Sequence, residues 1–358
     1  MDRLKPELQA ISGFKVPMDV EVAKGELSAT SPQARPANET DNPGDSPSAL
    51  DALLQGAGSV CQSKRNTALV LNRRQFIRTG AAALATAALT PRLQAGYNKL
   101  KIGATDWNLK QEAKPGSIGL AKSIGLDGVQ ISLGHSYDPK NAPRHLPLST
   151  PDLLDQFLAE ARKNQLPIAS TCLEILHRNY LKNDPLGRQW VAESIPLTKK
   201  LGARVILLPF FGKGALQTSA EMDYVADFLK EIGPEAEKTG VILGLENTNS
   251  AEDNARILDR AHSKAVLVYY DVGNSFNNGF DIYKEIGWLG KDRICEFHLK
   301  DNPNLVGQGK IDFAKVINAI VETGFSGWAQ LETEAPSGDV SKDMKTNLDF
   351  VRGLLAKA

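Results

Sequence analysis

Between residues 100 and 333 the chain repeats one unit: an apolar run of strand length followed by a longer stretch of helical character. The runs fall at 100–107, 128–133, 167–173, 204–211, 241–248, 267–272, 294–300 and 328–333, which makes eight. The intervening segments carry helix punctuation. Thr150-Pro151-Asp152 opens one helix and Thr218 or Ser219 another, while Gly202, Gly240 and Gly324 follow helical patterns as C-terminal caps. Within 150–165, Leu153, Leu154, Phe157, Leu158 and Ala161 share one face, the periodicity of a helix packed on a sheet. Eight strands alternating with helices over about 250 residues predict an α/β fold, the (β/α)₈ TIM barrel. A doubly wound open sheet is the competing architecture. It uses fewer strands and a Gly-rich phosphate loop after the first, where this chain has Thr105-Asp106-Trp107-Asn108.

Four successive runs end in a side chain that can bind a metal: Glu246, Asp271, His298 and Glu332. Their intervals of 25, 27 and 34 residues each accommodate a strand, a returning helix and two loops. In a barrel the C-terminal ends of the strands converge on one mouth, so all four could reach one ion. A single carboxylate at a strand end commonly caps a helix or pairs with a base, and a single strand histidine commonly makes interior hydrogen bonds. The succession of four is what points to an ion. Three carboxylates and one imidazole form a hard, oxygen-rich set suited first to Mn²⁺ or Mg²⁺, with Co²⁺ or Zn²⁺ also admitted.

With these residues in place, the chain from residue 100 onward resembles the sugar phosphate isomerase/epimerase superfamily, the xylose-isomerase-like barrels that include ketose 3-epimerases and inosose dehydratases. The resemblance implies that Glu246, Asp271, His298 and Glu332 bind one divalent metal and that Glu246 and Glu332 are the catalytic acid/base pair. The chemistry would be proton abstraction beside a carbonyl, slow in water because the enediolate is unstable and aided by a cation on the adjacent oxygens. Carboxylates on opposite faces of the substrate would remove and return the proton, giving epimerisation; transfer of a hydroxyl proton as well would interconvert aldose and ketose. A lyase reading remains beside it, since the same intermediate can expel a β-hydroxyl or glycosyl group. Asp271-Val-Gly-Asn274 resembles the phosphopentose 3-epimerase branch, whereas free-ketose 3-epimerases usually carry His where Asn274 stands. His298-Leu-Lys300-Asp301 and Gly307-Gln-Gly309-Lys-Ile-Asp312-Phe resemble a stretch shared with inosose-processing relatives.

Substrate-binding candidates surround these motifs. Trp107 could stack on a sugar face, and Lys300 could contact a substrate oxygen or phosphate or else pair with Asp301. Asn274 belongs with them, as do Glu174 and His177 just past the third strand; His135, past the second, is a further polar mouth candidate. Asp312 is expected to cap the helix beginning at Phe313, and His145 and His262 to lie at the periphery.

Composition narrows the partners. Lys and Arg total 42, as do Asp and Glu, so no net charge favours a nucleic acid. An apurinic-endonuclease reading would need a three-metal cluster, yet the chain has five His. A non-catalytic sugar-binding barrel would not require a base on each face. The expected partner is a small-molecule sugar or keto-polyol; the oligomeric state is not legible. Of Cys61, Cys172 and Cys295, the last two read as buried strand residues rather than a disulfide framework.

Residues 1–70 are expected to form a disordered leader, since 25–65 is rich in Ser, Pro, Asn, Gly and Ala and offers little to bury. Residues 71–95 resemble a twin-arginine signal: Asn72-Arg73-Arg74-Gln75-Phe76-Ile77, an apolar run from Gly80 to Leu89, and Leu93-Gln94-Ala95 before Gly96. That run is about half of the ~20 residues that span a bilayer. The expected arrangement is a catalytic domain over 96–358, exported to the periplasm by the twin-arginine machinery, or cytoplasmic if the signal is unused. Its distance from Met1 implies either a long leader or a translation start near Val70.

Overall fold

The computed structural model describes residues 99–134 and 139–358. The leader, the twin-arginine-like segment, Cys61 and His135 lie outside the described residues.

Eight parallel strands close into a barrel in chain order, β1 pairing with β8. They are β1 (Leu100–Thr105), β2 (Gly128–Ser132), β3 (Ile168–Cys172), β4 (Val205–Phe210), β5 (Ile242–Asn247), β6 (Val266–Asp271), β7 (Ile294–Leu299) and β8 (Gly327–Leu331). The open-sheet alternative is thereby excluded. Each strand stays within two residues of its expected start and end. The ends are trimmed where the chain leaves the ladder to build the mouth, so Trp107, Lys300 and Glu332 follow their strands rather than finishing them.

Along each strand, successive side chains face the barrel axis and the helix layer alternately. On β7, Phe297 and Leu299 join the large apolar core beneath the helices, while Glu296 and His298, alternating with them, are buried inside the barrel. This alternation lets one strand carry both core residues and ligands. The helices use the expected signals. In the helix α1 (Pro151–Asn164), Phe157 is buried and Leu153, Leu154, Leu158 and Ala161 pack partly buried against the core. Thr218, rather than Ser219, caps α2 (Ser219–Thr239) through a reciprocal capping box with Glu221. Gly202, Gly240 and Gly324 all take positive φ, as C-terminal caps require. No helix among the described residues is long and apolar enough to cross a membrane.

Candidate metal centre and its pocket

Glu246 ends the apolar part of β5, Asp271 ends β6, His298 is the penultimate residue of β7, and Glu332 follows β8. Barrel closure brings one ligand atom from each within 4.8 Å of the others. His298 is the centre of the group. Its Nδ1 lies 2.8 Å from Glu246 Oε1, 3.2 Å from Glu332 Oε2 and 3.8 Å from Asp271 Oδ2. Its other nitrogen, Nε2, lies 2.8 Å from Gln130 Oε1 on β2.

Two of the three carboxylates are each held through one oxygen. Asp271 Oδ1 accepts the backbone N–H of Asn274 at 2.8 Å and so caps the short helix α3 (Val272–Asn277). Trp107 donates its indole N–H to Glu332 Oε1 at 3.2 Å and stands edge-on to the His298 ring. The remaining oxygens, Asp271 Oδ2 and Glu332 Oε2, are buried and accept no hydrogen bond of good geometry. The Lys300 ammonium lies 3.0 Å from the first and 2.6 Å from the second. Gly273 makes this approach possible, since a Cβ there would fall 2.7 Å from the Lys300 carbonyl oxygen. The glycine of the Asp-x-Gly-Asn motif therefore serves backbone contact between α3 and the end of β7.

The expected alternative of a Lys300–Asp301 pair is not what forms. Neighbouring residues in an extended chain point to opposite sides, and the Asp301 carboxylate instead accepts the backbone N–H groups of Gly307 and Gly309 at 3.0 and 2.9 Å. Lys300 turns into the mouth and also reaches Asn274 Oδ1 at 3.4 Å.

Crowding of charge perturbs every member that titrates abnormally. Burial raises the Asp271 carboxyl to about 8, with Glu332 and Glu246 adding to the rise and Lys300 opposing it. Burial also works against charge on Glu332, but His298 and Lys300 overcome it and hold that carboxyl below the usual range. For His298, burial opposes the cation, while Glu246 and Glu332 together raise the imidazole to about 10. Asp271 and Glu332 raise Lys300 likewise. Three converging carboxylates with two buried oxygens lacking good hydrogen bonds form a cradle for a divalent cation, which would also displace a proton from His298.

The pocket above this group has a volume of 370 Å³. It is lined by the expected Trp107, Glu174, His177, Asn274 and Lys300 together with Glu246 and Glu332. Asp271 and His298 lie beneath the lining. Four lining residues were not anticipated: Glu112, Cys172, Leu207 and Phe211. Cys172 and Leu207 face inward by strand alternation, a period-2 signal present in the sequence; Glu112 sits in a loop that carries no such signal. Phe211 stacks on His177 with ring centroids 5.9 Å apart. His177 is exposed at the mouth, yet the surrounding protein lowers its imidazole from the usual value. His145 pairs with Glu193 away from the pocket, His262 ends the helix Ala251–Ala261, and Asp312 accepts the Lys315 N–H as the cap of α4 (Phe313–Glu322).

A family profile described as the xylose isomerase-like TIM barrel matches residues 118–354. The chain belongs to this family. Xylose isomerase-like barrels similar to it include the 2-epi-5-epi-valiolone 7-phosphate 2-epimerase of Actinoplanes sp. (strain ATCC 31044 / CBS 674.73 / SE50/110). The two are 23% identical over 231 residues, which span 62% of this chain and 82% of that one. Among solved structures, the 3-keto-D-glucoside 4-epimerase of E. coli in its apo form superposes with a TM-score of 0.56 at 17% identity, covering 71% of this chain and 100% of that one. The D-psicose 3-epimerase of Clostridium cellulolyticum H10, solved with D-tagatose, gives 0.59 at 17% identity, covering 71% and 99%. These two likenesses show the fold. Distant relatives of the chain are thus sugar epimerases and isomerases, and the Glu246, Asp271, His298 and Glu332 group in this barrel can hold a metal ion.

Proposed function

We propose that the protein is a divalent-metal-dependent sugar epimerase or isomerase that moves a proton at a carbon beside a carbonyl, acting on an unphosphorylated ketose, keto-polyol or keto-glycoside. The observation that carries this reading is the pair Glu246 and Glu332, two carboxylates from different strands that line one pocket and meet at His298. Glu246, Asp271, His298 and Glu332 would hold the ion, Mn²⁺ first among the candidates. When bound, it would stabilise negative charge developing on substrate oxygens.

The chain's own side chains account for the rest. His298 and Lys300 together keep Glu332 ionised and therefore able to accept a proton. Trp107 fixes the orientation of that carboxylate through Oε1. Glu246, reached from another strand, serves as the partner that returns the proton. Leu207, Phe211 and Cys172 form the apolar part of the wall and limit water around the reacting carbon.

Charge supports an uncharged substrate. Among the described residues lining the pocket, Lys300 is the single Lys or Arg, and Asp271 and Glu332 already face it. His177 is held toward its neutral form, and Glu112 and Glu174 add further acid. A phosphate dianion would meet repulsion there, whereas sugar hydroxyls would find acceptors. Export by way of Arg73-Arg74 belongs to the same proposal, and replacing both by Lys should leave the protein cytoplasmic on cell fractionation.

The test is deuterium uptake from D₂O by a panel of ketoses, inososes and keto-glycosides, with Mn²⁺ and with chelator. Metal-dependent exchange beside the carbonyl, abolished in Glu246→Gln and Glu332→Gln, is expected. Loss of water from the substrate would turn the assignment to a dehydratase. A protein that binds the metal yet exchanges no substrate of the panel would defeat the reading for those substrate classes.

A further inference from the structure

Five polar side chains from five strands are buried within the barrel: Gln130 on β2, Ser170 on β3, Tyr269 on β6, Glu296 on β7 and Gln330 on β8. Three of them stand two residues before a ligand, Tyr269 before Asp271, Glu296 before His298 and Gln330 before Glu332, so alternation puts them on the ligand's own face. Gly103 on β1 makes room for this group; a Cβ there would lie 2.1 Å from Gln330 Oε1.

The group is joined into one line that ends on a ligand. Gln330 Nε2 donates to Glu296 Oε2 at 3.2 Å, and the Tyr269 hydroxyl donates to the same oxygen at 3.0 Å. Gln130 Nε2 donates to the Tyr269 oxygen at 3.1 Å and to Ser170 Oγ at 3.0 Å. Gln130 Oε1 then faces His298 Nε2 at 2.8 Å.

Donor and acceptor capacity sets the direction of every bond. Glu296 Oε2 accepts, so Tyr269 spends its single hydrogen there and can only accept from Gln130. Gln130 must turn its NH₂ toward the two hydroxyls, which leaves its carbonyl oxygen for His298. Nε2 of His298 therefore carries a hydrogen whether the ring is charged or neutral, and Nδ1, among Glu246, Asp271 and Glu332, is the nitrogen that gives up its proton when a cation binds. A carboxylate deep in a barrel is costly to bury, and an amide of the same size would meet the same neighbours at lower cost. What the carboxyl adds is direction: burial raises it to about 7, but Oε1 is the oxygen with no hydrogen-bond partner, so a proton would sit there and Oε2 accepts in either form, whereas an amide can present either end.

We propose that Glu296, acting through Tyr269 and Gln130, is the positioning residue that fixes the hydrogen of His298 on Nε2 and so commits Nδ1 to metal binding. The inference about the ion rests on reading the four residues as a metal site; the inference about the hydrogen does not.

The experiment uses the full chain labelled with ¹⁵N. The Nε2–H of His298 is identified by its loss in His298→Gln, and Zn²⁺ affinity is measured by competition with a chromophoric chelator. In Glu296→Gln the line can reverse: the new amide donates to Tyr269, Tyr269 to Gln130 Oε1, and Gln130 presents its NH₂ to His298. Loss of the Nε2–H signal and a 10- to 100-fold weaker Zn²⁺ affinity are expected, with circular dichroism and thermal melting reporting a native fold. Combining Gln130→Glu with Glu296→Gln restores an acceptor opposite Nε2 and should recover both signal and affinity. Tyr269→Phe, which cuts the line without reversing it, should give an intermediate loss. A folded Glu296→Gln protein that keeps the Nε2–H signal and binds Zn²⁺ as tightly as the native chain would overturn the proposal. If the native chain binds no metal, the metal-site reading fails by itself, and the Nε2–H comparison, made at a pH at which the imidazole is neutral, still decides the role of Glu296.

Discussion

Glu332 is where the demands on this site meet. One oxygen takes the indole hydrogen of Trp107, and the other faces both His298 and Lys300. Trp107→Phe keeps an aromatic ring near His298 but removes the hydrogen bond that orients the carboxylate. A bond of that kind contributes about 1 kcal/mol, so kcat for deuterium exchange should fall roughly five- to tenfold. Metal affinity, measured alongside, should change far less, and an unchanged kcat would remove Trp107 from the orienting role. Gly273 makes a second residue-level claim. Its replacement by Ala would drive a methyl to within 2.7 Å of the Lys300 carbonyl oxygen and 2.8 Å of the Lys300 Cβ. Gly273→Ala should cost about 1–3 kcal/mol in chemical denaturation, because the contact is with backbone that cannot step aside. The sequence showed the glycine as part of a motif, but its partner lies on the next strand, and only barrel closure reveals why no side chain fits.

At the level of elements, the start of α2 joins helix capping to a partly buried ion pair. Thr218 Oγ1 accepts the Glu221 N–H, Glu221 accepts the N–H groups of Gln217 and Thr218, and Lys182 Nζ lies 2.6 Å from Glu221 Oε1. The hydrogen bond from Lys182 is the main cause that lowers the Glu221 carboxyl from 4.5 to about 2. A folded value below the unfolded one means that the stabilisation is present above 4.5 and fades as pH falls toward 2. Glu221→Gln should therefore be less stable than the native chain at neutral pH, with the gap closing across that acid window when urea denaturation is repeated at each pH. A gap that persists unchanged at the acid end would show that packing, not charge, sustains it. Most element boundaries were legible because caps and periodicity are local, as Thr150, Gly240 and Asp312 show. What misled the reading was adjacency in sequence: Lys300 beside Asp301 suggested a pair, whereas extended backbone sends the two side chains to opposite sides. Glu296 carried a readable signal, two residues before His298 on the same face, but Gln130 carried none, because its partners come from strands distant in the chain.

Across the whole molecule, the ligands come from β5, β6, β7 and the residue after β8, so one ion would tie together the mouth ends of four consecutive strands. The unfolded chain cannot hold the four groups within 4.8 Å of one another, so binding must favour the folded barrel. At a free metal concentration of about 100 times Kd the gain is roughly 2.7 kcal/mol, which in a domain of this size corresponds to a rise in Tm of about 5–10 °C. The chain with Mn²⁺ should melt that much higher than the chain with chelator. Asp271→Asn separates this linkage from ordinary packing. Burial raises the Asp271 carboxyl even with the Lys300 ammonium 3.0 Å away, so its charge remains a burden on the barrel that Lys300 alone does not offset, and an amide of the same size removes that burden. The variant should therefore melt no lower than the native chain in chelator, yet gain little from Mn²⁺. Differential scanning fluorimetry across a metal titration reads both quantities. Should Asp271→Asn keep the full metal-dependent rise, the ion must be held elsewhere, and the mouth of the barrel would lose its claim to be a metal centre.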